Sequence, residues 1–329
     1  INLPSDLIFL LSASSPMMSK DSTDTGKENR PIQENRVPSL LAGAREGDFN
    51  KVDRLVRLQG VPVDAQEYEN TPTALMYAAV SGDVDVIAFL VGAGADVNKC
   101  DKDGRRPLTF AATNNRVAAL QYLLENGADP NLRNRNGWTA LYIAAAKGYV
   151  EVANALFAFQ QSPSDVNVRN TVGGTPLIIA STLGHTALVA LLLENHAAVD
   201  AVDNNNWTAL LKASDKGHTD IVNLLLNNGA DVNHTDNNDF AALLLAAKAG
   251  KADTVHALLA HSAVLVNRVD KSSRTALFYA AQNGHTEVVQ ALLSRSDVEI
   301  GIEDKNKQSA RTITKCPEIV LLLENYKAN

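Results

Sequence analysis

A short phrase recurs along most of this sequence at nearly constant spacing, and that repetition constrains the fold more than any other feature. Its leucine, seen in a full phrase at Thr73-Ala74-Leu75, returns every 33 to 36 residues. The aligned positions are Leu40, Leu75, Leu108, Leu141, Leu177, Leu210, Leu243, Leu277 and Arg311. Periods of this length are typical of arrays whose units are stable only when stacked on their neighbours. We therefore predict one repeat array of about 290 residues, instead of the two globular domains that 329 residues would otherwise suggest.

Each period carries the same internal pattern. Seven residues after the aligned leucine stands a residue suited to ending a helix in the left-handed conformation. These residues are Gly47, Gly82, Asn115, Gly148, Gly184, Gly217, Gly250 and Gly284. Apolar residues then recur at helical spacing, as from Thr219 to Leu225, and turn residues follow. The pattern predicts a short helix, a tight turn, a second helix and a hairpin-like connection.

The landmarks of this unit resemble those of a known family. The Thr175-Pro176-Leu177 phrase and the Gly-Ala-Asp-Val-Asn endings at 94–98 and 229–233 are similar to the ankyrin repeat, whose period is about 33. The resemblance implies an all-α ankyrin-repeat solenoid with β-hairpin-like connections, short first helices along a concave face, and protein recognition as the function. The chain departs from the family where a histidine usually follows the leucine. It carries there Met76, Thr109, Tyr142, Ile178, Leu211, Leu244 and Phe278.

The repeats also set the predicted domain boundaries. Residues 37–329 form the array, with eight clear units and a degenerate ninth that has Arg311 in place of the leucine. The predicted units are about 37–66, 67–100, 101–133, 134–169, 170–202, 203–235, 236–269, 270–303 and 304–329. Residues 1–36 offer little to bury, so we predict a disordered tail. Its Lys27-Glu28-Asn29 resembles a KEN degron, with a chance match as the alternative.

Charge and cysteine usage exclude several classes of partner and compartment. The chain carries 30 Lys and Arg against 37 Asp and Glu, a formal net charge of −7, which argues against the broad basic surface that nucleic acid requires. Two cysteines are too few for a disulfide framework, so we expect a reducing compartment, the cytoplasm or the nucleus. No apolar stretch approaches the roughly 18 residues of a membrane helix, so we expect no membrane insertion.

The sequence shows no convergent set of polar groups that would indicate catalysis or a cofactor. His185, His218 and His285 occupy one repeat position just after the turn, which favours turn residues over metal ligands. Aspartates open most connections, where a short carboxylate can accept backbone N–H groups. They are Asp101, Asp203, Asp236, Asp270 and Asp304. The prediction is a non-enzymatic chain without a bound cofactor.

Two sets of variable positions are the candidate binding residues. What we call the groove column stands two residues after each aligned leucine and comprises Tyr77, Phe110, Ile143, Ile179, Lys212, Leu245 and Tyr279. What we call the tip column stands three residues before each aligned leucine and comprises Pro72, Arg105, Trp138, Gly174, Trp207, Phe240 and Arg274. Such columns are variable contact sites in the ankyrin family. We predict an exposed apolar and aromatic strip that binds a partner, the alternative being that these side chains pack on one another.

These columns predict a scaffold or adaptor that holds an extended segment or a helix of another protein. The alternative function is a regulatory or inhibitory subunit that covers the active site of a partner enzyme. A second hypothesis concerns arginines in the third and fourth units, which would bind an acidic or phosphorylated motif. They are Arg105, Arg106, Arg133 and Arg135, with Arg116 nearby. Asp101, Asp103 and Glu125 stand close enough in sequence to neutralise much of this charge.

Overall fold

The computed structural model describes residues 36–326 of the chain. The predicted tail, with its Lys27-Glu28-Asn29, lies outside the described residues except for Arg36. The described part divides into two compact units, residues 36–165 and residues 166–326. The division follows directly after Gln160 to Ser164, the stretch that makes the fourth repeat longer than its neighbours.

Each predicted repeat contains one pair of helices, so the described residues hold eighteen helices in nine pairs. Odd numbers denote the first helix of a repeat and even numbers the second. The helices are α1 (Val37–Glu46), α2 (Phe49–Asp53, continued by a π-helical turn at Arg54–Leu58), α3 (Ala74–Ser81), α4 (Val84–Gly92), α5 (Pro107–Thr113), α6 (Val117–Glu125), α7 (Ala140–Lys147), α8 (Val150–Ala158), α9 (Pro176–Leu183), α10 (Thr186–Glu194), α11 (Ala209–Lys216), α12 (Thr219–Asn227), α13 (Ala242–Lys248), α14 (Ala252–Leu259), α15 (Ala276–Asn283), α16 (Thr286–Leu293), α17 (Ala310–Ile313) and α18 (Pro317–Asn325).

Local sequence signals account for where the first helices begin and end. A threonine precedes five of them, and its hydroxyl accepts the backbone N–H three residues on, at 3.1–3.4 Å. Gly184 ends α9 with φ +81°, and Asn115, in place of glycine, has φ +54°. The predicted left-handed turns are therefore confirmed, including the asparagine of the third repeat.

The core is a strip of small and branched apolar side chains between successive repeats. Within residues 36–165, α1, α3, α5 and α7 pack in order, as do α2, α4, α6 and α8. Within residues 166–326, the same holds for α9, α11, α13, α15 and α17, and for α10, α12, α14, α16 and α18. Alanines such as Ala78 and Ala79 are fully buried between helices, and so are leucines such as Leu225. Each helix has at most ten residues and would be only marginally stable as an isolated peptide. Stacking on neighbouring repeats therefore supplies most of its stability.

The connections are turns whose ends are paired through the backbone. In the described residues no strand forms, and one isolated bridge joins Thr235 and Ala241. Successive turns within a unit are also joined, for example by Asn237 N–H donating to Asn205 O at 3.2 Å. No helix in residues 36–326 is both long enough and apolar enough to cross a bilayer.

Candidate partner-binding site

One polar side chain shapes the hairpin turn of each repeat from the third to the ninth and so positions the tip column there. Its oxygen accepts two backbone N–H groups, from the residues two and four positions on, at 2.7–3.1 Å. These side chains belong to Asp101, Asn134, Asn170, Asp203, Asp236, Asp270 and Asp304. The second donor is the tip residue itself wherever the unit has one, as with Trp207 and Phe240. The predicted role of the aspartates as turn caps is confirmed.

The second carboxylate oxygen of these aspartates takes a different partner from repeat to repeat. Arg105 Nη2 lies 2.7 Å from Asp101 Oδ2, and Arg274 Nε lies 3.2 Å from Asp304 Oδ2. Lys212 Nζ lies 3.6 Å from Asp203 Oδ2. The tip and groove columns thus supply most of the counter-groups for the turns.

In the eighth repeat the counter-group is a phenol. Tyr279 Oη donates to Asp270 Oδ2 at 2.6 Å, and this hydrogen bond and the burial of the ring raise the pKa of Tyr279 to about 12. Burial is the larger cause of the increase, because it disfavours the phenolate. In the sixth repeat, burial lowers the pKa of Lys212, and Asp203 partly opposes that effect.

Cationic groups lie over aromatic rings along both columns. Lys212 Nζ is 4.1 Å from the centre of the Trp207 ring, and Lys248 Nζ is 4.7 Å from the centre of the Phe240 ring. In the third repeat the Arg105 guanidinium carbon lies 5.0 Å from the Phe110 ring centre. Such pairs place apolar faces and charges together at the surface, where each contributes about 0.5–1 kcal/mol.

The predicted exposed strip is wrong for five of its members. Packing within and between repeats covers Trp138, Ile143, Ile179, Leu245 and Tyr279, which are 3–7% exposed. Trp138 stacks on Tyr142 with ring centres 5.8 Å apart, and Phe240 contacts Tyr279 at 5.5 Å. The alternative, mutual packing of the columns, accounts for the contact of Phe240 with Tyr279, whereas Trp138 packs on a residue outside both columns. The half-buried members are Pro72, Tyr77, Arg105, Phe110, Trp207, Lys212, Phe240 and Arg274.

A cavity of about 460 Å³ opens where both columns meet in the second compact unit. Its walls include the rings of Trp207 and Phe240, and Leu245 contributes an apolar side chain. Asp236 and Lys248 contribute charges of opposite sign. The lining residues are Trp207, Asp215, Asp236, Asn238, Phe240, Leu245, Lys248 and Ala249.

The sequence interpretation missed Asn238 and Ala249 and also two charged residues of this cavity, Asp215 and Lys248. Both stand five residues after their aligned leucine, a position that other repeats fill mainly with small or uncharged side chains. Asp215 is paired with Lys216 at 2.7 Å. Two charges in one column of adjacent repeats are the signal that could have identified them.

A second cavity, of about 380 Å³, lies in the first compact unit. It is lined by Tyr77 of the groove column and by α1 residues that include Leu41 and Arg45. Its remaining walls come from Pro38, Ala42, Glu46 and Glu67.

The arginines of the third and fourth repeats make framework contacts. Arg105 binds Asp101 and also lies 3.4 Å from Asp103, as their proximity in sequence suggested. Arg106 Nη1 donates to the carbonyl oxygens of Gly104 and Arg133, at 2.8 and 3.1 Å. These contacts hold neighbouring turns together, and the predicted acidic or phosphorylated motif at Arg105, Arg106, Arg133 and Arg135 stays a prediction.

The histidines act as predicted at the turns between paired helices. His185, His218 and His285 are the N-cap residues of α10, α12 and α16. His218 Nε2 lies 3.3 Å from Thr182 O of the preceding repeat. Among residues 36–326 no three His, Cys, Asp or Glu side chains form a group that could hold a metal ion.

The comparisons agree with the geometry. A family model described as ankyrin repeats matches in three copies, at residues 40–134, 157–236 and 231–304, and a single-repeat model matches residues 136–171. No curated protein matches the chain.

Proposed function

Because the chain belongs to the ankyrin-repeat family, whose repeats generally mediate protein–protein interactions, we propose that it is a scaffold or adaptor that binds a segment of a partner protein. The contact surface is formed by the half-buried members of the groove and tip columns. Trp207 and Phe240 are its main anchors, because aromatic residues are enriched in protein interfaces and both residues line the cavity of the second compact unit.

The observation that carries this proposal is the cavity that those two residues help to line. Its volume falls within the range of about 300–1,000 Å³ of ligand sites, and its lining mixes apolar faces with a few charged groups. Function in a repeat family lies in such surface features, since the stacked framework is shared by proteins with many different partners.

The test is affinity purification from cell extract with the wild type beside a Trp207→Ala/Phe240→Ala variant. We expect the variant to keep its helical circular dichroism and to lose the proteins that the wild type captures. Each captured protein is then purified, and its affinity for both chains is measured. A loss of about tenfold or more is expected for an interface anchor.

A matched control distinguishes specific binding at this surface from non-specific hydrophobic binding. Leu265 and Leu321 are 55% and 58% exposed in the same compact unit, outside the two columns. Leu265→Ala/Leu321→Ala should leave the affinity unchanged. Equal affinity for wild type and the Trp207→Ala/Phe240→Ala variant would contradict the proposal. If the captured protein is an enzyme, its rate with and without the chain separates an adaptor from an inhibitory subunit.

A further inference from the structure

Asp236 differs from the other turn aspartates in one respect. One oxygen accepts the N–H groups of Asn238 and Phe240, at 2.8 and 2.9 Å, as in the other repeats from the third to the ninth. Its second oxygen has no hydrogen-bond or ion-pair partner among the described residues, although the side chain is only 5% exposed. This oxygen is not among the fully buried atoms that lack a partner, and Asp236 lines the cavity, so a donor that enters the cavity can reach it.

The other aspartates show which side chains can satisfy that oxygen. Asp203 receives Lys212 and Asp270 receives Tyr279, both from the groove column of the same repeat. The residue in that place for Asp236 is Leu245, which has no donor.

The two other positions that supply a counter-group to turn aspartates do not supply one to Asp236. Asp101 receives the tip residue of its own repeat, Arg105, and Asp304 receives the tip residue of the preceding repeat, Arg274. The corresponding residues for Asp236 are Phe240 and Trp207. Neither donates to it, and their rings instead form the walls of the cavity that Asp236 lines.

From this arrangement we infer that Asp236 binds a basic side chain, arginine or lysine, of the partner segment, inserted between Trp207 and Phe240. The inference rests on the proposed function and specifies the chemistry of the partner. The chain already contains one such arrangement, because the Lys212 ammonium lies over the Trp207 ring and close to the Asp203 carboxylate. The partner's basic side chain would make the equivalent contacts with Asp236 and the two rings. A charge-assisted hydrogen bond and contact with aromatic faces would both favour the bound cation.

The neighbouring charges leave this carboxylate available. Asp215 is paired with Lys216, and Lys212 with Asp203. Lys248 also lines the cavity, but its ammonium lies over the rings of Phe240 and Tyr279, 4.7 and 5.3 Å from their centres. Its charge opposes an incoming cation, so Lys248→Met should strengthen binding.

The probe is N-acetyl-arginine amide, titrated into the isotope-labelled full chain and followed by nuclear magnetic resonance. We expect saturable shifts of the Trp207 indole signal and of the Asn238 and Phe240 amides. The Trp138 indole, in the other compact unit, is the internal reference and should not move. N-acetyl-citrulline amide, which is nearly isosteric and neutral, should bind at least about tenfold more weakly.

Two variants test the carboxylate itself. Asp236→Asn keeps the turn, because Asn134 and Asn170 accept the same pair of backbone N–H groups in their repeats. Leu245→Lys supplies a cation in cis, as Lys212 does for Asp203. Both should weaken binding of the arginine probe by about tenfold or more, with the thermal unfolding midpoint recorded for each.

The outcomes are distinct for the inference and for the proposed function. No saturable shift with the arginine probe, equal binding of the citrulline probe, or full binding by Asp236→Asn overturns the inference. In a further outcome, Asp236→Asn retains a captured partner that Trp207→Ala/Phe240→Ala loses. That result would support the proposed binding surface and contradict the inference that the partner inserts a basic side chain. If neither variant loses the partner, the proposed function fails as well.

Discussion

Individual buried hydroxyls are the clearest residue-scale departures from an otherwise apolar core. Ser181 and Ser214 are fully buried in α9 and α11, and neither hydroxyl has a hydrogen-bond partner. Both stand four residues after the aligned leucine. The other repeats that have this leucine carry alanine at that position, as at Ala247. A buried hydroxyl without a partner is destabilising, and serine is also a weaker helix former than alanine.

We therefore expect Ser181→Ala and Ser214→Ala each to raise the free energy of unfolding by about 1 kcal/mol. Denaturant titration followed by circular dichroism measures the change. Ala247→Ser is the reverse control and should lower the free energy of unfolding. An unchanged or lower value for the two serine variants would mean that these hydroxyls are satisfied in solution.

The phenol of Tyr279 is expected to titrate far from the ordinary range. Burial and Asp270 raise its pKa from 10.0 to about 12, so the folded state holds the proton more tightly than the unfolded state. The resulting stabilisation is fully present below pH 10 and is lost as the pH rises towards 12. The ultraviolet absorbance difference between wild type and Tyr279→Phe should show this titration.

Asp270→Asn provides the matched comparison for that titration. Asparagine keeps the turn, as it does at Asn134 and Asn170, and removes the charge that helps to hold the phenol protonated. The pKa of Tyr279 should therefore move down towards its ordinary value. A phenol that titrates near 10.0 in the wild type would show that its hydrogen bond to Asp270 does not persist in solution.

At the scale of elements, asparagine side chains join the connections of successive repeats. Asn98, Asn131, Asn233 and Asn267 each accept a backbone N–H of the next repeat and donate to the carbonyl two residues before it. In the fifth repeat this position is Asp200, which accepts the N–H of Asp231 but has no donor for the carbonyl. The step from the fifth to the sixth repeat therefore lacks one hydrogen bond.

Asp200→Asn should restore that bond, with the amide donating to Gly229 O as Asn98 donates to Gly127 O. The substitution also removes a negative charge beside Asp231. We expect a gain of about 0.5–1 kcal/mol in the free energy of unfolding, measured by denaturant titration. Asn233→Asp should produce a loss of similar size, and a gain in that variant would contradict the interpretation.

At the scale of the whole molecule, the helices of each compact unit pack on those of the repeats next to them, so stability within a unit depends on nearest neighbours. The ninth repeat ends the second compact unit. It covers the eighth through Ile319 and Leu323, which are buried, while Arg311 in place of the usual leucine is exposed and lies 3.1 Å from Glu324.

Removal of residues 304–329 should therefore destabilise the eighth repeat first. Asp304 would no longer bind Arg274, and the apolar faces of α15 and α16 would meet water. We expect faster amide hydrogen exchange in α15 and α16 and little change in α9 and α10, measured by mass spectrometry. Equal acceleration in all four helices would show that the second unit unfolds as one block.

The sequence by itself determined the framework of this protein. The recurring leucine, the turn glycines and the aspartates at the connections determined the ankyrin-repeat fold, the helix order and the turn hydrogen bonds, because each depends on residues close in the chain. Tertiary structure alone decided which column residues are covered, since Trp138 and Leu245 are buried at positions that the sequence pattern predicts to be exposed. It also decided that Asp236 lacks a counter-group, because that depends on which side chains three separate positions bring to one point.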